Sequence, residues 1–211
     1  YLGNTFSRGP FLGSFRRSDH DKVDELGFGF WKWGETCVFS IYASVTFNGF
    51  QKVYGEVFQI PEAPSQTTIT TDIGILAGDE KPEGGLNLPH SKSKYHFTVS
   101  NEEELRDAFV KAVAQIEEHV MPWYQNVTNL SDVHREINIS SHDISPDFMF
   151  RGALAAFLED HDHWQAYAES YRVLISKWIE LYRVQYDNGI SVLRGVKNLH
   201  DFKRRCASTE T

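Results

Sequence analysis

The stretch from Glu159 to His163 places two histidines, two aspartates and a glutamate in five consecutive positions. Imidazole and carboxylate groups bind divalent metals and transfer protons near neutral pH. On a helix, however, metal-ligating histidines need an i, i+4 spacing, and the two-residue spacing of His161 and His163 separates their directions by roughly 200°. Asp160 or Asp162 also fits the N-cap of a following helix. We therefore interpret the cluster as a polar turn between two helices, with a metal site at His161, Asp162 and His163 as the alternative.

The other polar clusters favour structural roles. Asp19-His20-Asp21-Lys22 has turn chemistry, and His134 lies beside charged neighbours on a short helix, where a solvated face is expected. Cys37 falls on the inner face of a strand, which predicts a buried thiol. Cys206 lies in a basic tail, which would lower the pKa of its thiol.

Several enzyme and cofactor motifs are missing from the sequence. The chain has no G-x-G-x-x-G after a strand, no G-x-x-x-x-G-K, no G-x-S-x-G and no H-E-x-x-H. We therefore expect no nucleotide cofactor and no metal cofactor. A non-catalytic protein is favoured over an enzyme.

Charge and composition limit the partners. The 211 residues carry a net charge of −8, with 41% hydrophobic and 14% aromatic residues. Residues 52–118 hold 12 acidic and 6 basic side chains, so the excess of acid lies in the middle of the chain. An acidic chain of this kind binds nucleic acid and anionic membranes poorly and suits a basic protein partner. Two cysteines form no disulfide framework, and together with the absence of a long apolar run they predict a cytoplasmic protein.

An antiparallel meander is the clearest pattern in the first half of the chain. Residues 36–47 alternate strictly, which is typical of a half-buried strand. Gly34-Glu35 before this strand fits a type II′ hairpin, and Asn48-Gly49 after it fits a type I′ hairpin. A third strand is then predicted over residues 50–60, although it would place Lys52 and Glu56 on the inner face, so a bulge is expected there. Upstream, residues 11–17 fit a further strand.

The hairpin register assigns side chains to two faces of the sheet. The inner, core face is predicted to contain Leu26, Phe28, Phe30, Phe39, Ile41 and Ala43. Trp31, Trp33 and Tyr42 fall on the opposite face, together with Val38, Val53 and Val57; we call the first three the aromatic face. Because tryptophan and tyrosine are enriched at protein-binding hot spots, this face is a candidate binding surface.

Residues 61–94 are rich in Pro, Gly, Ser and Thr and predict a long loop, with a strand within residues 67–76. Asp79, Glu80 and Glu83 give this loop an acidic tip. Such a tip could dock a basic partner by electrostatic steering.

Helices are predicted to follow a last strand at residues 95–99. Ser100 or Asn101 caps a helix with acidic residues in its first turn, and Pro122 is expected to end it. Ser145 caps a second helix that starts at Pro146. The longest helix is predicted from about His163 to Val184.

The pattern predicts an α+β fold in one domain, residues 1–211. An N-terminal antiparallel β-meander of about four to six strands (1–99) packs against C-terminal helices (100–211), of which 145–184 form a helical hairpin.

The opening Leu2-Gly3-Asn4-Thr5-Phe6-Ser7-Arg8, followed by Phe15-Arg16-Arg17, resembles a bacterial family of domains of unknown function. Members of this family begin with an LG-x-x-F-x-R … F-x-R strand pair and are similar to immunity proteins encoded beside polymorphic toxins. The resemblance covers mainly the first 60 residues. It implies a cytoplasmic bacterial protein that neutralises a toxin by binding it, and it implies no catalytic residues.

Three functional hypotheses follow. The leading one is a protein-binding protein, of the immunity type that the resemblance implies, that occludes the active site of a basic toxin through the aromatic face and Asp79, Glu80 and Glu83. The second is a metal-dependent hydrolase that uses His161, Asp162 and His163. The third is a module that binds a small ligand between the sheet and the helices.

Overall fold

The computed structural model describes residues 7–8, 13–63, 66–78, 95–140 and 146–207, and it confirms the α+β class. The chain groups into two compact units. The first contains Tyr1–Asp19, Val23–Val45 and Thr70–Val127. The second contains His20–Lys22, Thr46–Ile69 and Thr128–Thr211.

The strands belong to one antiparallel sheet with the order β1-β2-β3-β4-β5, in which β6 also pairs with β4. Its members are β1 (Ser7–Arg8), β2 (Ser14–Asp19), β3 (Lys22–Trp33), β4 (Thr36–Phe47), β5 (Ile69–Asp72) and β6 (Phe97–Val99). The helices are α1 (Asn48–Phe58), α2 (Ile73–Leu76), α3 (Glu102–Gln115), α4 (Met121–Asn126), α5 (Leu130–His134), α6 (Pro146–Glu159), α7 (Trp164–Ile175), α8 (Glu180–Arg194) and α9 (Leu199–Ala207). Among the residues that the structure describes, no helix is both long enough and apolar enough to span a bilayer.

The predicted hairpin between β3 and β4 is confirmed. Its loop is Gly34-Glu35, and Gly34 has a φ of 58°, a conformation that glycine adopts without a Cβ clash. The predicted strand at residues 95–99 is also present as β6, where Phe97 pairs with Phe39 across the ladder. Strand β4 has paired neighbours on both edges. Its side chains are also buried on both faces: Phe39 and Ile41 on one, Val38 and Ser40 on the other.

Helix α3 begins as the sequence predicts and covers part of the inner face of the sheet. The Asn101 side chain accepts the N–H of Glu104, and Glu102, Glu103 and Glu104 occupy the first turn, where the helix dipole favours acid. Phe109 stacks on Phe39 with ring centroids 5.1 Å apart. This contact fixes the helix against the sheet within the first unit.

The prediction that Pro122 ends this helix is wrong. A π-helical turn, Ile116–Val120, follows α3 and leads directly into α4, where Pro122 lies in the first turn. The N–H of Met121 bonds to the carbonyl of Ile116, five residues back. The wider turn accommodates a proline that has no N–H to donate, so the chain stays helical.

The predicted third strand at residues 50–60 is also wrong, because this segment is helix α1. Its buried apolar residues, Phe50, Val53, Tyr54, Val57 and Phe58, recur at the i, i+3, i+4, i+7, i+8 positions of a helix. Lys52 and Glu56 are exposed, which removes the conflict that a strand would create. Val53 and Val57 therefore do not lie on the outer face of the sheet.

Asp21 explains why Asn48-Gly49 starts a helix instead of a hairpin. The residue at the N-cap, Phe47, gives no side-chain bond to the helix. Asp21, in the turn between β2 and β3, supplies the acceptors: its carbonyl accepts the N–H of Asn48 and its carboxylate that of Gly49, each at 3.0 Å. These contacts satisfy two of the N–H groups that every helix start leaves open.

The long helix predicted from His163 to Val184 is divided into α7 and α8. At Lys177 and Trp178 the hydrogen bonds tighten to the carbonyls three residues back, and Ile179 is extended, with φ −64° and ψ 148°. The chain then reverses, so that α8 packs beside α7. The Tyr186 hydroxyl donates to the carbonyl of Ala168 at 2.9 Å, and this contact requires the reversal.

Aromatic rings from three helices form the core of the second unit. Phe58 of α1 stacks on Phe150 of α6 at 5.1 Å and on Tyr186 of α8 at 6.0 Å. Gly189 of α8 permits the approach, because a Cβ there would lie 2.1 Å from a ring carbon of Phe58. The close contact of α1 and α8 therefore depends on a missing side chain.

We expect Gly189→Ala to lower the free energy of unfolding by about 1–3 kcal/mol, because overpacking at Phe58 outweighs the gain of about 1 kcal/mol in helix propensity. Urea denaturation followed by circular dichroism measures the change. Ser191→Ala, on an exposed position of the same helix, serves as the control and should leave the midpoint nearly unchanged. A Gly189→Ala protein as stable as the wild type would contradict the packing of Phe58 on this glycine.

Candidate functional site

Trp31 and Tyr42 of the aromatic face are half-buried in the structure. Trp31 meets Tyr42 edge to face at a centroid distance of 6.3 Å and lies 6.4 Å from the ring of His96. A Cβ at Gly29 would fall 2.6 Å from a ring carbon of Tyr42, so this glycine lets the rings close over the strand. Trp31 and Tyr42 thus share a face, as the alternation predicts, but part of their surface is used in packing.

A buried contact between a carboxylate and a histidine adjoins this face and was not predicted. The Asp72 carboxylate and the His96 ring are 3.8 Å apart, and both side chains are 7% exposed. Asp72 also accepts the N–H of Gly74 at 2.8 Å and so caps α2. The pair connects β6 to the end of β5, which is a structural role. Only its closeness in space reveals it, because the two residues are 24 positions apart in the sequence.

The structure does not describe the side chains of four of the predicted binding residues. Trp33 lies at the end of β3, and its side chain is outside the described residues. Asp79, Glu80 and Glu83 also lie outside the described residues.

His161, Asp162 and His163 occupy an exposed turn between α6 and α7. The ring of His161 packs edge to face on Phe157, at 4.9 Å, and does not point toward His163. Nδ1 of His163 lies 2.8 Å from a carboxylate oxygen of Asp160, which raises the pKa of His163. Within the described ranges, no three histidine, cysteine or carboxylate side chains are grouped as metal ligands.

His134 is buried in a polar network and is not on a solvated face. The amide of Asn138 donates both to Nδ1 of His134, at 2.8 Å, and to the carbonyl of Gly152, at 3.0 Å. Tyr171 donates its hydroxyl to the other end of the same amide. Burial lowers the pKa of His134, while Asp160 and Glu159 act in the opposite direction with smaller effect. The network ties α5, α6 and α7 together through side chains, so its role is structural.

Helix α9 lines an open cleft of about 510 Å³ in the second unit. Its cations are balanced: Lys203 lies 3.4 Å from Glu159 and Arg204 lies 3.5 Å from Asp201. The cleft therefore has no excess charge to select an anion. The neighbouring Cys206 is buried, which raises the pKa of its thiol to about 12 and contradicts the lowered pKa predicted from the basic tail.

A concave surface lined mainly by aromatic side chains lies in the first unit, between β2, β3 and α3. It is a cavity of about 360 Å³, which we call the phenylalanine groove. Its lining residues are Gly13, Phe15, Phe28, Phe30, Phe109, Val113, Ile116 and Glu117. Phe15 and Phe30 remain 37% and 51% exposed. An aromatic groove of this size is of the kind that binds an apolar group.

The groove corrects the prediction that Phe30 belongs to the core. Phe109 covers the inner face at Phe39 and at Phe28, with ring distances of 5.1 and 5.8 Å. Phe30 lies beyond this cover, with its ring centroid 5.6 Å from that of Phe39 and the two ring planes tilted by 37°. The alternation of β3 identifies the face correctly but not how far a helix covers it. In the sequence, the phenylalanines at alternate positions 28 and 30, together with Phe15 on β2, are the pattern that could have indicated this groove.

The helical wall of the groove is acidic. Residues 102–118 carry six carboxylates, three of them in the first turn of α3, and two basic side chains. Glu117 contributes directly to the lining and is exposed. The Arg106 guanidinium pairs with Glu102 at 2.7 Å, which leaves the excess of negative charge in place. The groove therefore combines an apolar floor with one carboxylate, that of Glu117, at its rim, on a helix that is acidic as a whole.

Comparison of the chain with protein-family models, with curated protein sequences and with solved structures gives no match. The resemblance to immunity-type domains stays a prediction.

We expect His134 to make the protein less stable in acid. Because its folded pKa lies below the ordinary value of 6.5, the unfolded chain binds the proton first. The free energy of unfolding then falls as the pH drops through about 6.5 toward the folded pKa, and His134 contributes no dependence above this range. Chemical denaturation of the wild type and of His134→Asn at several pH values measures the contribution, which the variant should lack.

His163 provides the matched control, because its pKa is raised and its contribution has the opposite sign. It stabilises the fold below pH 6.5 and loses this effect as the pH rises through its folded pKa. Replacing His163 by Asn should therefore steepen the loss of stability in acid. Equal acid dependence in the wild type and His134→Asn would contradict a buried neutral His134.

Proposed function

We propose that the protein is a non-catalytic binding protein that captures a basic protein partner and occludes its functional surface. The observation that carries the proposal is the phenylalanine groove with its acidic wall. It combines exposed aromatic side chains with charge of one sign, as a protein-binding surface does.

The groove suits one apolar side chain of a partner, flanked by a lysine or arginine. Phe15, Phe28 and Phe30 offer aromatic faces and edges, and an inserted ring or branched chain would replace water there. A neighbouring cation could then pair with Glu117 at the rim. Such an ion pair adds specificity and association rate more than affinity.

Asp79, Glu80 and Glu83 of the loop are proposed as further contact points for the partner. Trp31 and Tyr42 lie on the face of the sheet opposite the groove, so they form a second, separate candidate contact surface. The resemblance of the opening residues to immunity-type domains supports a toxin as the partner. Many toxins that attack nucleic acid are basic, and an acidic protein covering the cleft of such a toxin would block its substrate. The action would be steric and electrostatic and would need no catalytic residue in this chain.

A small apolar molecule is the second candidate ligand. The cavity of about 360 Å³ lies within the range of about 300–1,000 Å³ that holds such ligands. Native mass spectrometry of the purified protein distinguishes the two, because a bound metabolite adds a defined small mass and a protein partner does not.

We expect Phe30→Asp to abolish capture of the partner and Glu117→Lys to weaken it by about 1 kcal/mol or more, with a flatter dependence on salt. The measurement is a tagged pull-down from the native host with a series of salt washes, followed by titration of the captured protein. Phe30 is already half-exposed, so its replacement should leave the fold intact.

Val110→Lys is the matched control, because Val110 is an exposed apolar residue of α3 that does not line the groove. It should retain the partner. Reversal of charge at Asp79, Glu80 and Glu83 tests the loop separately. A partner that remains bound to Phe30→Asp at wild-type affinity would disprove the groove as the binding site, and absence of any saturable partner would disprove the binding function.

A further inference from the structure

Strand β3 is twice as long as its neighbour β2. It contains the 12 residues Lys22–Trp33, whereas β2 contains the six residues Ser14–Asp19. A two-residue turn joins the strands, and its register places Gly13 opposite Phe28, where a Cβ on Gly13 would lie 3.9 Å from that of Phe28. Gly13 has a φ of 80°, which is not extended, so β2 begins only after it. Within the described part of the chain, no strand therefore lies along the outer edge of β3, away from β4, beyond Phe28.

The backbone of β3 directs alternate residues to its two edges. The two-residue loop before β4 makes Trp33 part of a hydrogen-bonded pair, so the odd-numbered residues of β3 bond to β4. The carbonyl of Asp21, just before β3, accepts the N–H of Asn48, just after β4, which shows that the register is the same at the far end. The N–H and C=O groups of Phe30 and Lys32 therefore point to the outer edge.

This outer edge continues into the phenylalanine groove. Phe30 is 51% exposed and lines the groove, and Lys32 beside it is exposed as well. Because paired residues on adjacent strands share a face of the sheet, a residue paired with Phe30 would direct its side chain into the groove. Gly13 lines the groove at the neighbouring position and has no side chain to fill this space.

We propose that the partner binds as an extended segment, which adds an antiparallel strand to β3 at Phe30 and Lys32 and places an apolar side chain in the phenylalanine groove. The inference rests on the proposed function and specifies the form of the captured partner. The outward backbone groups select an extended chain, because a helix uses its own N–H and C=O groups internally. An added strand gains affinity from main-chain hydrogen bonds and specificity from the pocket that receives its side chain.

Two charges limit the sequence of this segment. Lys32 disfavours a cation directly opposite it on the added strand, and a lysine on an edge strand also discourages indiscriminate pairing. Glu117, at the rim of the groove, favours a lysine or arginine on the same face as the apolar residue. The segment should therefore carry an apolar residue opposite Phe30, an uncharged or acidic residue opposite Lys32 and a basic residue near Glu117.

Linear peptides selected on the full chain from a phage-displayed heptapeptide library provide a probe. Each selected peptide is synthesised with a single N-methyl group at each position in turn, and its dissociation constant is measured by fluorescence anisotropy. Because an added strand directs alternate N–H groups to β3, the constant should rise at least about tenfold at alternate positions and less than about twofold at the intervening ones. Uniform loss, as for a bound helix, or loss at no position overturns the proposal, as does a library that yields no peptide dependent on Phe30.

The matched variants Lys32→Pro and Lys32→Ala test the edge from the side of the protein. Proline removes the outward N–H but no bond to β4, and edge strands tolerate it, so circular dichroism should match the wild type. Lys32→Pro should raise the dissociation constant of the peptides and of the captured host protein at least about tenfold, whereas Lys32→Ala, which keeps the N–H, should change it less than about threefold.

The outcomes separate this inference from the proposed function. Binding that is lost in Phe30→Asp but kept in Lys32→Pro, with no alternation in the N-methyl series, overturns the added strand and leaves the groove as the binding site. Wild-type binding in both variants overturns the added strand and the groove together. Dimerisation of the wild type in sedimentation velocity that Lys32→Pro abolishes would assign the edge to a second copy of this chain and overturn the proposal.

Discussion

The approach of α1 to α8 is the contact on which the second unit depends. Phe58 can reach both Phe150 and Tyr186 only because Gly189 has no side chain, and Tyr186 in turn holds α7 through its hydroxyl. Packing at this density tolerates little change of volume, since the rings have no alternative space. The packing of α1, α6, α7 and α8 thus depends on Gly189 and on the rings of Phe58, Phe150 and Tyr186.

The first unit is organised by a second aromatic contact, between Phe39 and Phe109. Phe39 is fully buried and also stacks on Phe97, at 4.8 Å, so it joins β4, β6 and α3. Because α3 is fixed above Phe39, it leaves the adjacent strip of the sheet at Phe15 and Phe30 less covered. The phenylalanine groove is therefore a consequence of where the helix is anchored.

Polar groups in this protein mostly serve the fold. The Asp21 carboxylate caps α1, Asp72 caps α2 and Asn101 caps α3, each through a backbone N–H. Burial raises the pKa of Asp21, and the hydrogen bond from Gly49 opposes this effect. In each case the polar side chain fixes the start of a helix.

The sequence by itself determined the features that depend on neighbouring residues. The β3–β4 hairpin follows from Gly34 and strict alternation, and the start of α3 follows from the Asn101 cap; Trp31 and Tyr42 share a face because side chains alternate. Tertiary structure decided what depends on distant residues. Residues 48–58 become a helix because Asp21, 27 positions before Asn48, supplies the cap. The packing of Phe58 against Gly189 also stabilises this helix. The break between α7 and α8, the burial of His134 and the exposure of Phe30 likewise depend on which surface packs against which. Periodicity states which side chains lie together, but burial is a property of the assembled elements.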